Sequence, residues 1–335
     1  MKCFSWQLLL STIILAGAAA QAQSPYATLI GTVRDTTGAR VPAAKITAEQ
    51  QGTSATRQAQ TNGSGEFALP SLPPGEYRIT VVASNFREEV FPHYDLRVAS
   101  SPSLNVVLQP APVQQSVEVK DEGLSIEPIQ TTSSLEQHVI EATDLKELPL
   151  AHRSFANIAY LSPMTEPVEP SDPTKARITA VSFAGSSGLN VDFAVDGGDN
   201  NDDFIGGFLQ NYSPDAMQEF AVRTAQTDAD TSRTNGGSVI LATRRGTDEW
   251  HGDAAGYFRA SALNARNQLD NPEPGPKQPF SRQNGVFNVG GPLRKGKLWA
   301  FGALEYVNED ASIAYNIASQ HQFNALASLA AMISR

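Results

Sequence analysis

The chain has 335 residues, 41% hydrophobic and 18% charged, which allows two or three domains with packed cores and excludes wholesale disorder. Its 25 Lys and Arg residues stand against 35 Asp and Glu, and the resulting net charge of -10 argues against a nucleic-acid partner. Frequent glycine and proline predict many turns and short strands instead of long helices.

Residues 1–22 are predicted to be a secretory signal peptide. Lys2 provides the positive start, Leu8 to Ala16 form the apolar stretch, and residues 20–22 give the small-x-small cleavage pattern. A membrane anchor or buried helix fits less well, because the apolar stretch is short for a span of about 20 residues. Cys3 is the only cysteine, so the exported chain would contain no disulfide and no thiolate metal site.

Residues 27–109 are predicted to form a small antiparallel β-sandwich of roughly seven strands. Turn-forming clusters such as 61–65 recur every eight to twelve residues along this segment. Between them lie short alternating runs, and Tyr77, Ile79 and Val81 share one face by the period of two.

This first domain resembles the carboxypeptidase regulatory-like domain, a module similar to transthyretin and to starch-binding-like folds. The resemblance is carried by Gly31-Thr32-Val33-Arg34-Asp35, by Gly63-Ser64-Gly65-Glu66-Phe67 and by Leu72-Pro73-Pro74-Gly75-Glu76-Tyr77. It implies a fold and not a protease, because a regulatory-like module carries no catalytic zinc ligands.

Residues 110–127 are predicted to be a linker that begins with a proline-rich run. Ser116 to Val119 form a short β-prone stretch, for which two interpretations stay open. It is either the contact strand for an energy-coupling protein or an ordinary last strand of the sandwich, and the second interpretation is favoured.

Residues 128–245 mix strand and helix patterns. Residues 141–149 predict a short helix stopped by proline, and 193–198 predict a strand that enters an Asp-Gly turn. The segment resembles the plug domain of TonB-dependent receptors, specifically of the Oar-like group, which carries the same N-terminal sandwich. That resemblance rests on residues 148–155, on Val195-Asp196-Gly197, and on 236–247.

Residues 246–335 are predicted to be the first strands of an Oar-like β-barrel. Strand patterns cover 250–259, 283–290 and 298–307, and the third has about the ten residues that a tilted spanning strand needs. Residues 321–335 have helical spacing. Since plugged barrels use about 22 strands, the sequence favours a truncated chain that does not transport alone.

A plug loop is the candidate solute-binding site, because such loops face the ligand in the resembling receptors. Its residues are Asp199, Asn200, Asn201, Asp202 and Asp203. A calcium loop starting at Asp196 lacks the glycine at its sixth position and the glutamate at its twelfth. Residues 291–298 almost match a phosphate-binding loop, yet Leu298 replaces the required hydroxyl, so a basic turn between strands is preferred.

Nothing in the sequence supports catalysis. The five histidines lie far apart, none at metal-ligand spacing, and no nucleophile elbow is present. We therefore expect no enzyme activity, no cofactor and no resident metal.

Together these features predict a mainly β protein: a transthyretin-like or starch-binding-like sandwich, an α+β plug and an incomplete outer-membrane β-barrel. The expected function is gated uptake of an unknown solute, a carbohydrate or a peptide, with a TonB-type energy-coupling protein as partner. The expected location is the outer membrane, with the N-terminal domains in the periplasm. The alternative is an exported carbohydrate-binding or adhesion module with a receptor remnant.

Overall fold

The computed structural model describes most of the chain between residues 25 and 311. The described residues are 25–111, 136–148, 150, 153–168, 180–202, 207–225, 234, 236–265, 279–311 and 326. The predicted signal peptide, the stretch 116–119, Asp203 and nearly all of the predicted helix at 321–335 lie outside them.

Two compact units divide the chain. The first comprises residues 1–251 together with 290–301, and the second comprises 252–289 together with 302–335. The first unit therefore contains the predicted sandwich, the predicted plug and the residues 290–301 of the following strands.

Seven strands in two sheets form the sandwich of the first unit. The strands β1 to β7 are Ala27–Asp35, Lys45–Gln50, Thr56–Gln60, Glu66–Leu72, Gly75–Val82, Glu89–Leu96 and Ser103–Leu108. One sheet has the order β4-β1-β7 and the other β3-β2-β5-β6. The mainly β sandwich is as predicted from the sequence.

One strand pair corrects the antiparallel prediction. β7 runs parallel to β1, with Ile30 opposite Ser103 and Asp35 opposite Leu108. The chain leaves the second sheet after β6 and returns beside β1 through a crossover, which parallel neighbours require. Alternation within a strand specifies its buried face and carries no information about the direction of its neighbour, so the sequence pattern could not show this.

The core of the sandwich follows the alternation read from the sequence. On β5, Tyr77, Ile79 and Val81 are 1%, 0% and 0% exposed, and they pack against alternate residues of the facing sheet. The apolar area that these side chains remove from water is the main stabilising contribution. The largest members of this core are Leu29, Ile46, Phe67, Leu69, Leu72, Tyr77, Ile79, Tyr94, Leu96, Leu104 and Leu108.

Polar side chains close the turns of the sandwich. Asn62 Oδ1 accepts hydrogen bonds from the main-chain N–H groups of Ser64 and Glu66, both at 2.9 Å. Gly65 follows with φ of +69°, and a Cβ there would lie 2.7 Å from Val33 O. A side chain at Gly65 is therefore excluded both by its φ and by the approach of β1.

A mixed five-stranded sheet follows in the first unit and is here called the mixed-sheet domain, residues 136–245. Its strand order is β12-β11-β14-β13-β8, and only the β11–β14 pair is parallel. A separate two-stranded sheet pairs β9 with β10. The strands β8 to β14 are Glu136–Glu141, Thr165–Val168, Ala180–Phe183, Val191–Val195, Gly198–Asp199, Met217–Ala225 and Gly237–Thr243.

Two short helices, α1 (Ala142–Glu147) and α2 (Phe155–Ala159), belong to the mixed-sheet domain. The α2 helix begins after Ser154, whose hydroxyl accepts the N–H of Asn157. Phe193 and Phe208, both 0% exposed, meet edge-to-face with ring centroids 5.8 Å apart and anchor the core. Helix and strand are therefore mixed in this domain, as the sequence predicted.

Three long strands follow: β15 (His251–Ala260), β16 (Phe280–Arg294) and β17 (Leu298–Ala311), in the sheet order β15-β16-β17. They contain 10, 15 and 14 residues, enough for tilted membrane-spanning strands. As described they form an open sheet, which agrees with the predicted opening strands of a barrel.

β16 extends further than predicted. Only Lys295, Gly296 and Lys297 remain as the turn before β17, so the glycine pair at 290 and 291 lies within the strand. No helix within the described residues has the length and apolar character needed to cross a membrane.

Candidate functional site

The predicted solute-binding loop lies at the β12 edge of the mixed sheet. Asp199 is exposed, Asn201 is half-buried, and Asn200 and Asp202 are 4% and 8% exposed. Asp203 lies outside the described residues. Of the described carboxylates predicted to contact a solute, only that of Asp199 is therefore exposed.

The two asparagines of this loop hold its shape. Asn200 forms a two-way contact with Gln210, donating from Nδ2 to the carbonyl and accepting its N–H through Oδ1, each at 3.0 Å. Asn201 accepts the Phe193 N–H at 3.1 Å and donates to Asp192 Oδ1 at 3.1 Å. Amides paired in this way are not available to a ligand: Asn201 fixes the loop to β11, and Asn200 fixes it to the main chain of Gln210.

The sandwich contacts the mixed-sheet domain through the connection between β6 and β7. Val98 in this connection is 0% exposed and packs with Ala221, Ile240 and Ala242. Its N–H donates to Glu219 Oε2 at 2.6 Å. Its carbonyl accepts from Gln137 Nε2 at 3.0 Å. We call this contact, residues 97–100 against β8, β13 and β14, the Val98 seam.

Arg223 and Arg97 complete the seam. Arg223 donates to the Ala99 carbonyl at 2.8 Å and to Gln137 Oε1 at 3.0 Å, and its side chain is buried. Arg97 forms ion pairs with Asp95 and with Glu141. The polar groups that packing removes from water at the seam are therefore paired, as burial requires.

Glu219 is the most perturbed carboxylate of the seam. It is 4% exposed, and burial raises its pKa to about 7, although the Val98 N–H and Arg97 act in the opposite direction. Asp95 and Glu141 raise the pKa further by like-charge repulsion. The seam thus contains a group that changes charge near neutral pH.

A cleft of about 1090 Å³ lies within the first unit and is here called the arginine cleft. The sandwich contributes Arg57 and Tyr77, and the mixed-sheet domain contributes Gln218 and Arg245. The turn after β16 adds Lys297. Residues from three successive parts of the chain therefore line one cavity.

Two hydrogen bonds border this cleft and hold its walls together. Gln218 Nε2 donates to the Pro74 carbonyl at 3.0 Å, and the Asp248 N–H donates to the Gly52 carbonyl at 2.8 Å. Asp248 Oδ1 also accepts from the indole of Trp299 and the N–H of Gly296, each at 2.8 Å. These contacts hold the walls of the cleft together, and no Arg or Lys side chain takes part in them.

In the second unit, the faces of the three-stranded sheet differ in polarity. One face exposes the large side chains Phe258, Phe287, Leu304 and Tyr306, which are 73%, 56%, 67% and 70% exposed. Such an apolar face is what contact with lipid requires.

The opposite face is polar and hydrogen-bonded. Asn288 donates to Asp253 at 3.0 Å, Asn284 donates to Glu305 at 2.6 Å, and Arg282 pairs with Glu309 at 3.4 Å. The alternation of apolar and polar residues along these strands is therefore the pattern of a membrane barrel with a polar interior.

Sequence reasoning missed both the seam and the arginine cleft. Glu219 and Arg223 sit at alternate strand positions, which a single-strand pattern predicts to face solvent. Their partners lie 121 and 124 residues earlier in the chain. The two cations Arg244-Arg245 at the end of β14 were the one local signal of the cleft.

Two further structural observations concern rival functions. Within residues 25–111 every Phe and Tyr ring is buried or half-buried, so the described sandwich offers no exposed Phe or Tyr platform for a sugar. Among the described residues, no group of three or more His, Cys, Asp or Glu side chains could hold a metal ion.

Two family models match separate parts of the chain. Residues 28–109 match the carboxypeptidase regulatory-like domain, and residues 242–324 match the outer membrane beta barrel domain. These matches define the class: an outer-membrane protein with a regulatory-like sandwich on the N-terminal side of its barrel strands.

The chain is homologous to the TonB-dependent transporter Oar of Myxococcus xanthus. The two are 27% identical over 308 residues, which is 87% of this chain and 27% of Oar. The chain therefore spans about a quarter of the length of this relative. The resemblance to Oar-like receptors drawn from the sequence is confirmed.

Solved structures give weaker similarities. The siderophore receptor PirA from Acinetobacter baumannii aligns with a TM-score of 0.42 and 19% identity, covering 54% of this chain and 26% of PirA. Catechol 1,2-dioxygenase from Acinetobacter radioresistens aligns with a TM-score of 0.23 and 12% identity, covering 29% and 56% of the two chains. At these scores neither similarity carries an argument.

Proposed function

We propose that this chain provides the periplasmic sandwich, the plug and the first barrel strands of a TonB-dependent outer-membrane receptor that takes up a solute. The observation that carries the proposal is the order of its parts. The match to the outer membrane beta barrel domain begins at residue 242, inside the last strand of the mixed-sheet domain. The mixed-sheet domain thus runs directly into the barrel strands, where a plug would stand.

The polarity of the strands supports the same proposal. β15 alternates residue by residue between exposed and half-buried positions, with Phe258 exposed and Asp253 half-buried. A sheet of this kind is stable in hydrocarbon when its edges are closed by further strands. In such a closed barrel the polar face lines the lumen.

In this proposal the loop 199–203 of the plug contacts the solute, and Asp199 is its accessible described carboxylate. A TonB-type energy-coupling protein is the periplasmic partner that moves the plug. The solute is a carbohydrate or a peptide, and the homology to Oar supports transport without specifying which.

Membrane insertion and partner binding test the proposal. Expressed in a Gram-negative host, the chain is expected in the outer-membrane fraction. It should bind the purified periplasmic domain of the host's TonB-type protein, as measured by biolayer interferometry. The absence of cysteine after Cys3 allows one engineered cysteine to be labelled for immobilisation.

A proline substitution localises the partner contact. Val117→Pro disrupts strand pairing by the stretch 116–119, whereas Val113→Pro in the same linker is the matched control. Loss of binding only with Val117→Pro assigns the contact strand to that stretch. A chain found outside the outer membrane, or without affinity for the coupling protein, would refute the proposed receptor function.

A further inference from the structure

The arginine cleft has an excess of positive charge. Its lining includes four cationic side chains, Arg57, Arg244, Arg245 and Lys297, and two acidic ones, Glu76 and Asp196. Both acids already have partners. Glu76 contacts His93, and Asp196 accepts hydrogen bonds from the N–H and the hydroxyl of Thr243. Both carboxylates are therefore engaged by neighbouring groups of the protein, and the lining has two more cations than acids.

Three of the four cations are not matched by a carboxylate. The ion pairs found between described residues do not include Arg57, Arg245 or Lys297. Arg245 instead stacks over the Tyr26 ring at 5.3 Å, which orients its guanidinium and leaves its charge uncompensated. The cleft is thus electrostatically complementary to an anion.

The cleft reaches the beginning of an edge strand. β3 is the terminal strand in the order β3-β2-β5-β6, and it pairs only with β2 within the described part of the chain. Thr56 and Arg57, which begin β3, line the cleft. The main-chain N–H and C=O groups on the outer side of an edge strand are available to a further strand.

We infer that the arginine cleft is a docking site for an extended acidic peptide, which adds as a strand to the free edge of β3. Alternate carboxylates of the peptide then face Arg57, Arg245 and Lys297. The volume of about 1090 Å³ suits a peptide segment of several residues better than a single small anion. This inference is independent of solute uptake and concerns a second partner surface.

Strand addition explains why the edge and the charges occur together. Main-chain hydrogen bonds to an edge strand provide affinity with little sequence preference, and flanking side chains provide the selectivity. The residues of β3 are Thr56-Arg57-Gln58-Ala59-Gln60, without acidic side chains that would repel such a peptide. Three surrounding cations then select for acidic sequences.

A labelled peptide tests this inference on the whole chain in detergent micelles. The probe is a fluorescein-labelled peptide of alternating Glu and Val, eight residues long, whose binding is followed by fluorescence anisotropy. We expect saturable binding that weakens as NaCl is raised, because exposed charge pairs are screened. A peptide of alternating Lys and Val should not bind.

A matched pair of variants assigns the site. Arg57→Gln with Lys297→Gln should weaken binding about tenfold, as expected for the loss of two exposed charge contacts. Arg78→Gln with Lys295→Gln removes the same charge from exposed positions that do not line the cleft, and should leave the affinity unchanged.

Backbone methylation separates strand addition from simple charge attraction. A Glu-Val peptide N-methylated at alternate residues keeps its charge but loses the N–H groups of one edge, so its binding should fall at least tenfold. The inference is overturned if the wild type does not bind the probe, if both double variants lose affinity equally, or if N-methylation has no effect.

Discussion

Glu219 offers the sharpest test of the Val98 seam. Its carboxylate accepts the Val98 N–H at 2.6 Å from a position that is 4% exposed. Glu219→Gln keeps an oxygen acceptor of the same size but cannot ionise. Glu219→Ala removes the acceptor and leaves a buried N–H without its partner. The two variants therefore separate the titration of Glu219 from its hydrogen bond.

The expected magnitude follows from the pKa. Burial raises the pKa of Glu219 from 4.5 to about 7, so the closed seam binds a proton more tightly than the open one. The contribution of Glu219 to the free energy of opening the seam is fully present below pH 4.5 and is lost as pH rises through 7. At 1.36 kcal/mol for each unit of pKa, the complete loss is about 3 kcal/mol. About 2 kcal/mol of it falls between about pH 5.5 and 8.

Hydrogen exchange measures this loss locally. Deuterium uptake of peptides covering residues 97–100 in the whole chain, corrected for the intrinsic pH dependence, gives the free energy of opening the seam. The wild type should lose protection as pH rises, whereas Glu219→Gln should show a flat profile. Glu219→Ala should be less protected at every pH, by about 1–3 kcal/mol for the unsatisfied donor.

A neighbouring carboxylate provides the control. Glu136→Gln alters an exposed carboxylate on β8 and should leave the wild-type profile unchanged. If wild type and Glu219→Gln lose protection in parallel as pH rises, Glu219 is not the titrating group and the reasoning is wrong.

Three further predictions test the core, one turn and one hydrogen-bonded aspartate. Phe193→Ala removes a fully buried ring in contact with Phe208 and should lower the free energy of unfolding by about 3–5 kcal/mol, measured by pulse proteolysis in urea. Leu209→Ala, at an exposed position, should change that free energy little. Gly65 and Gly38 both have positive φ, but only Gly65 faces a close carbonyl. In thermal unfolding, Gly65→Ala should therefore destabilise the sandwich by about 1–3 kcal/mol more than Gly38→Ala. The N–H of Gly296 and the indole of Trp299 lower the pKa of Asp248 below 3.8, so its contacts persist above that pH and are lost as pH falls further. In a Trp250→Phe variant without residues 1–22, which contain Trp6, Trp299 is the remaining tryptophan and its fluorescence should report this loss. Asp248→Asn should abolish the acid transition.

The sequence was sufficient to predict features that depend on the residues of a single segment. Tyr77, Ile79 and Val81 alternate along β5 and all three are buried as predicted. The turn at 61–65 and the Asp196-Gly197 turn were also predicted, and both Asp196 and Gly197 have positive φ. Local chemistry determines these features, so no knowledge of distant residues was needed.

Glycine is where local reasoning was wrong. The predicted strand ended at Gly290 and the predicted turn began at Gly291, yet β16 continues through Gly291 to Arg294. A Cβ on Gly290 would lie 2.9 Å from the His251 ring, and one on Gly291 would lie 2.4 Å from the Trp250 ring. These glycines make room for the rings of His251 and Trp250, which lie about 40 residues earlier in the chain. No local sequence pattern indicates this contact.

The position of the seam within the mixed sheet predicts that it opens before the sheet itself separates. The loop 199–202 lies at the β12 edge, and the seam lies on β14, β13 and β8, toward the other end of the strand order. The strands β11, β14 and β13 are joined by hydrogen-bonded pairs over a core that includes Phe193 and Phe220. Separating those strands would break several hydrogen bonds and expose large rings, whereas opening the seam breaks a few contacts to residues 97–100. A displacement of the loop relative to the sandwich is therefore expected to open the seam before it deforms the sheet, and ionisation of Glu219 would lower the cost of that opening.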